Sequence, residues 1–83
     1  MAIDRVDDMQ VKVKFFASLR KQMGQDTILV SCPEDFTISQ LLENQGLSRE
    51  DAPVILVNGL RVDYAHKLSD GDVVSAFPLI GGG

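Results

Sequence analysis

Three consecutive glycines close the sequence, Gly81-Gly82-Gly83. Lacking Cβ atoms, such a segment can thread a channel too narrow for any other residue and can adopt backbone angles closed to other residues. Extended, three residues reach up to roughly 10 Å at ~3.3 Å each. The α-carboxyl group of Gly83 has a reference pKa of about 3.3–3.7 and is ionised at neutral pH. A carboxylate is a poor electrophile, but the carbonyl of a terminal glycine is unhindered. The tail is therefore suited to acyl chemistry once its carboxylate has been activated.

Little else in the chain could perform that activation. Its one cysteine, Cys32, excludes an intramolecular disulfide and a cysteine-based metal site. Cys32 reads as a small buried hydrophobe near a strand end. The one histidine, His66, would have to serve any Ser-His-Asp or Cys-His pair, and it reads as a connector residue. No Gly-x-x-x-x-Gly-Lys-Ser/Thr phosphate loop is present, and the acids are scattered rather than clustered for Mg²⁺. The chain is accordingly read as not an enzyme in its own right, with no cofactor of its own and no metal.

Length and charge narrow the class further. At 83 residues, 45% hydrophobic and 24% charged, the chain is one ordinary globular domain. Twelve acidic against 8 basic residues leave a net charge of −4. That argues against nucleic acid, where affinity comes mainly from Lys and Arg on phosphates. It fits a protein partner with a basic docking face. No apolar run approaches the ~20 residues of a membrane span. The start, Met1-Ala-Ile-Asp-Arg5, lacks the basic and apolar regions of a secretory signal, so the expected location is cytoplasmic.

The elements that must position the tail are legible as local patterns. Residues 1–8 are polar and aperiodic and read as a flexible extension, with Met9 an alternative start. In Met9 to Phe16, Val11, Val13 and Phe15 alternate with Gln10, Lys12 and Lys14, the period of a strand with one buried face. The alternating polar side, Lys12 and Lys14, reads as solvated. Ser18 to Met23 reads as a short helical turn stopped by Gly24. Thr27 to Cys32 is a second strand ended by Pro33. Thr37-Ile-Ser-Gln40 matches a capping box, with Phe36 and Leu41 as a hydrophobic staple. Ile38, Leu41 and Leu42 give that helix one apolar face, and Gly46 ends it. Val54 to Val57 is a third strand, turned by Asn58-Gly59 into a return over Leu60 to Val62. Tyr64 to Leu68 is a connector, Arg49 to Asp51 a loop and Asp70-Gly71 a turn. Val73 to Ile80 is the last strand. The first two strands should form an antiparallel hairpin and the last should lie beside the first. The result is an α+β fold, a mixed four- to five-stranded sheet packed against one main helix.

That order, with glycines at the very end, resembles the β-grasp or ubiquitin-like fold, and more narrowly the MoaD/ThiS family of sulfur-carrier proteins. The resemblance covers residues 9–83. It rests on Val13-Lys-Phe-Phe-Ala-Ser-Leu-Arg20, Val57-Asn-Gly59, Leu68-Ser-Asp-Gly-Asp-Val73 and Phe77-Pro-Leu-Ile-Gly-Gly-Gly83. The Phe77-Pro78 pair is closer to the molybdopterin synthase small subunit than to the thiamine carrier. Leu79 stands where that subunit often has a second proline, Gly81 is additional, and the N-terminal extension is not a family signature.

The resemblance implies a β-grasp domain over 9–80 and a flexible tail over 81–83. It implies that an E1-like adenylating enzyme, using ATP and Mg, activates Gly83, and that a sulfur donor of cysteine desulfurase or rhodanese type converts it to a thiocarboxylate. An acceptor synthase subunit then takes the sulfur. Gly81 and Gly82 would be the threading segment. Phe77, Leu79 and Ile80 would be the docking residues, with Phe77 equally readable as core. Molybdenum or tungsten cofactor assembly is the first pathway implied and thiamine the second. A protein modifier joined to lysines through Gly83, and an interaction module with an inert tail, use the same sequence features.

Overall fold

The computed structural model describes residues 9–79. Its elements run β1 (Met9–Phe15), α1 (Ser18–Met23), β2 (Thr27–Cys32), α2 (Ile38–Asn44), β3 (Val54–Val57), β4 (Leu60–Val62) and β5 (Val73–Phe77). The five strands make one sheet in the order β2-β1-β5-β3-β4. β1 and β2 form an antiparallel hairpin, β5 lies parallel to β1, and β3 is antiparallel to both β5 and β4. This is the expected α+β, β-grasp arrangement, with five strands rather than four.

Alternation places the core. Met9, Val11, Val13 and Phe15 of β1 point inward, as do Val74 and Ala76 of β5 and Ile55 and Val57 of β3. Ile38, Leu41 and Leu42 of α2 complete the same buried cluster with Leu47, Ala52 and Leu68 from the loops. Cys32 belongs to this cluster, 2% exposed at the end of β2.

The start of α2 is held from two directions. A helix leaves its first backbone N–H groups without intrahelical acceptors. Here the Gln40 N–H donates to Thr37 Oγ1 (3.2 Å) and the Thr37 N–H to Gln40 Oε1 (2.9 Å), the expected capping box. The Ile38 and Ser39 N–H groups donate to the carbonyls of His66 (3.0 Å) and Tyr64 (2.9 Å). The connector after β4 therefore serves as the acceptor strip for the helix. Tyr64 anchors that connector, its hydroxyl donating to Ala52 O (2.9 Å) while the Arg49 guanidinium lies over its ring at 4.8 Å. The loop carrying Arg49 is closed by Asp51, whose carboxylate accepts the Ser48 N–H (2.8 Å). That backbone bond, with the Ser48 hydroxyl adding to it, holds the carboxyl below its ordinary pKa.

Two strand ends differ from expectation. β1 stops at Phe15, leaving Phe16 outside the ladder, and β5 stops at Phe77 rather than at Ile80. Phe77 pairs with Val54, the first residue of β3. The next residue is Pro78, which has no N–H to donate, and Pro53 precedes Val54 on the facing strand. Ile80, the tail and residues 1–8 lie outside the described residues.

Asn58 couples the β3–β4 turn to the entry of β5. It and Gly59 adopt φ values of 53° and 85°, the pair of positive angles that a two-residue type I′ turn requires. The Asn58 N–H donates to Val73 O (2.8 Å), its Oδ1 accepts the Val73 N–H (2.9 Å) and its Nδ2 donates to Asp72 Oδ1 (2.9 Å). Replacing Asn58 by Asp keeps the acceptor but sets a carboxylate against that of Asp72. Asn58→Asp is expected to lower stability by about 1–3 kcal/mol at neutral pH. The facing carboxylates raise each other's pKa in the folded state. The penalty is therefore present while both are ionised, and it shrinks as pH falls and one becomes a donor. Urea melts of both proteins at neutral and acidic pH check this; equal midpoints at neutral pH would refute it.

Candidate functional site

With the inward positions consumed by the core, the opposite face of the sheet is left uncovered by α2. The ladder registers set its side chains in rows. Lys12 faces Leu29 on one side and Val73 on the other. Thr27, Lys14, Ser75, Leu56 and Arg61 form a line across all five strands. Phe77 and Val54 end the next row.

At that end lies an aromatic pair. Phe16 and Phe77 stack with ring centroids 4.4 Å apart and planes within 11°. The Phe16 N–H donates to Ala76 O (3.2 Å), so the segment leaving β1 is tied to the last strand. A shallow hollow of about 410 Å³ adjoins the pair, lined by Pro53, Val54, Arg61, Phe77, Pro78 and Leu79. Leu79 is 78% exposed there. Phe77 is half-buried on the open face and outside the buried core cluster. Phe77 and Leu79 thus lie together at the root of the tail, while Ile80, Gly81, Gly82 and Gly83 are outside the described residues.

Phe16, Val54 and Arg61 belong to this region and were not singled out by sequence. Phe16 could have been found by continuing the alternation of β1 one residue further, which turns it outward after Phe15. The pairing Leu56↔Arg61 follows from the two-residue turn at Asn58-Gly59, but the place of Arg61 near Phe77 depends on β3 lying against β5, which no local pattern gives. His66 sits half-buried in the connector, where its carbonyl serves α2.

The sign of the face also departs from the composition. The strands contain Lys12, Lys14 and Arg61 and no Asp or Glu. Among the described residues the acids sit in turns, loops and α2, several as acceptors of backbone N–H groups: Asp70 for Gln10 (2.8 Å), Asp72 for Ser69 (2.8 Å) and Asp63 for Ala65 (3.0 Å). Asp favours such positions because its short carboxylate closes a turn. The described strands are thus cationic although the net charge is −4, with Asp70 beside Lys12 and Asp26 beside Lys14 at the margins of the sheet.

The ThiS family model matches residues 13–83. The chain belongs to the ThiS family. Among its relatives is the small archaeal modifier protein 3 of Haloferax volcanii, 35% identical over 90% of this chain and 100% of that protein. The molybdopterin synthase sulfur carrier subunit of Escherichia coli K12 is also 35% identical, over 88% of this chain and 99% of the subunit. The solution structure of the Haloferax volcanii HVO 2177 protein superposes with a TM-score of 0.81 at 30% identity, covering 100% of this chain and 94% of that one. As a ThiS-family chain, this protein is a member of the ubiquitin-like sulfur-carrier group.

The two phenylalanines of β1 and β5 should separate by mutation. Phe15 is 2% exposed, and Phe15→Ala should cost about 3–5 kcal/mol. Phe77→Ala removes a half-exposed ring and its stack, and should cost about 1–2 kcal/mol with the folded spectrum retained. Chemical denaturation followed by circular dichroism measures both; an unfolded Phe77→Ala chain would return Phe77 to the core.

Proposed function

We propose that the chain carries sulfur as a thiocarboxylate on Gly83 for molybdopterin assembly. The observation that supports this most directly is β5. It is the central strand of a ThiS-family domain, and it leads through half-buried Pro78 and exposed Leu79 toward Gly81-Gly82-Gly83, beside an aromatic and apolar face that α2 does not cover. The 35% identity to a molybdopterin synthase sulfur carrier subunit favours that pathway over thiamine.

In this reading the Gly83 carboxylate attacks the α-phosphate of ATP on an E1-like enzyme that holds Mg, and pyrophosphate leaves. The terminal sulfur of a persulfide, on a cysteine desulfurase or rhodanese-type donor, attacks the acyl carbon and AMP leaves. A thiol then cleaves the acyl disulfide, leaving the thiocarboxylate and a new disulfide on the donor side. Gly81 and Gly82 supply the unbranched reach into each active site. The acceptor is a synthase subunit, as the name of the Escherichia coli relative indicates for that protein. Phe77, Leu79 and Ile80 make the docking contact, and a cytoplasmic location, where ATP is available to the partner, accords with this reading. The chain contributes no catalytic group beyond its own carboxylate.

A second reading, a modifier joined to lysines, is favoured by one finding, the 35% identity to a small archaeal modifier protein. Both readings use the same activated tail. Intact mass spectrometry of protein from its native cells distinguishes them. A carrier shows a population heavier by the difference between sulfur and oxygen, confined to the final peptide. A modifier shows isopeptide-linked adducts. Removing Gly82-Gly83 should abolish either product; a truncated chain that still functions would defeat both.

A further inference from the structure

Among the described residues, the non-glycine residues with a positive φ are Ala17, Asp35 and Asn58. Asp and Asn tolerate such angles in turns because their short polar side chains bond locally. Ala17 has no such means, and at φ 53° and ψ −131° it lies outside the left-handed helical region as well. Its angles match the first inner position of a type II′ turn, which glycine normally fills. The Leu19 N–H closes that turn by donating to the Phe16 carbonyl (3.1 Å). A residue with a Cβ is strained there, and such strain persists only where the surroundings over-determine it.

The surroundings do so on both sides of Ala17. Before it, the Phe16 N–H donates to the Ala76 carbonyl (3.2 Å), and the Phe16 ring lies on Phe77 at 4.4 Å. After it, Leu19 is 1% exposed in the core that also holds Phe15. Between Phe15 and Leu19 the chain must therefore face inward, present Phe16 on the opposite side, and face inward again. The II′ corner does this at Ala17 and Ser18. Ala17 is itself exposed, and its N–H has no acceptor among the described residues. Neither packing of its side chain nor a bond from its N–H accounts for the conformation. Relaxing the corner to a negative φ would change the direction of Phe16 relative to Leu19. Leu19 is fixed by full burial and Phe16 is only half-buried, so Phe16 is the one that would leave its place.

We propose that Ala17 is a positioning residue: its strained corner holds Phe16 on Phe77, and the clamped ring fixes the direction in which the chain leaves β5. Phe77 is the last residue of that strand, and Leu79 follows two residues on. That the departing chain is a tail which an activating enzyme must accept rests on the carrier reading; the clamp does not.

The test compares Ala17→Gly, which meets the angles without strain, with Ala17→Pro, whose ring fixes φ near about −65°. Proline suits the same position of type I and II turns, so the reversal survives while its hand changes. Nuclear magnetic resonance of the free full-length chain reads the stack through contacts between the two rings. The stack should persist in Ala17→Gly. In Ala17→Pro it should be lost, with the Leu79 amide signal displaced and the core signals of Leu19 and Val74 kept. ATP–pyrophosphate exchange on the E1-like enzyme of the same organism reads the tail. KM for the Gly variant should stay within about 2-fold of the parent, whereas for the Pro variant it should rise about 10-fold with kcat little changed, because only chains with the tail correctly aimed bind. In a Phe77→Ala background Ala17→Pro should add no further rise, since the clamp it acts through is gone. A general loss of stability, at a temperature where every variant stays folded, would produce none of these effects. Should Ala17→Pro fail to fold, Ala17→Val raises the cost of the corner without forbidding it and carries the same expectations. A stack that survives in the folded variant, or one that is lost while KM is unchanged, overturns the proposal. A parent chain that supports no exchange ends the carrier reading, and the ring contacts and the Leu79 signal then decide the clamp alone.

Discussion

β5 is the constraint on which the rest of the molecule depends. Five residues, Val73 to Phe77, sit between β1 and β3 and must satisfy both neighbours at once. Inward, Val74 and Ala76 are 1% and 0% exposed beneath the core, which leaves no room for a different alternation. Outward, the same strand presents Val73, Ser75 and Phe77. A slip of one residue would exchange these two sets and push Phe77 into a space occupied by Ala76. The buried methyl groups of one face therefore determine which side chains the other face offers a partner, and they aim the chain that leaves the strand.

The ends of β5 are as constrained as its middle. Asn58 reaches from the neighbouring turn to bond Val73 on both its N–H and its carbonyl. At the other end Pro78 withdraws the donor that would continue the ladder. The strand cannot lengthen toward the tail, and Leu79 is released into solvent at the margin of the aromatic pair. The proposed carrier function would benefit from such a stop, because each residue in the ladder would shorten the reach of the terminal carboxylate.

Charge follows from the same division of labour. Aspartates are drawn into turns because they accept backbone N–H groups there, at Asp51, Asp63, Asp70 and Asp72. The charged residues at solvent-facing positions of the described strands are Lys12, Lys14 and Arg61. An acidic protein thereby acquires a cationic sheet.

Local rules in the chain determined a good deal. Alternation in Met9 to Phe15, the Thr37/Gln40 box and the Asn58-Gly59 turn specified element types and nearly all their limits, since each depends on residues within a few positions of one another. Pro78 was equally local and marks the end of β5, although the apolar run past it reads as strand. The glycine tail is a sequence feature altogether. What only the tertiary structure decided is the neighbourhood of the tail: Phe16 on Phe77, Arg61 beside Val54, and three cations around one apolar strip. Except for Arg61 and Val54 within the β3–β4 hairpin, those contacts join strands far apart in sequence. No local period encodes which strand a buried surface will choose as its neighbour; that choice is made when the inner faces pack together, and the outer face inherits the result.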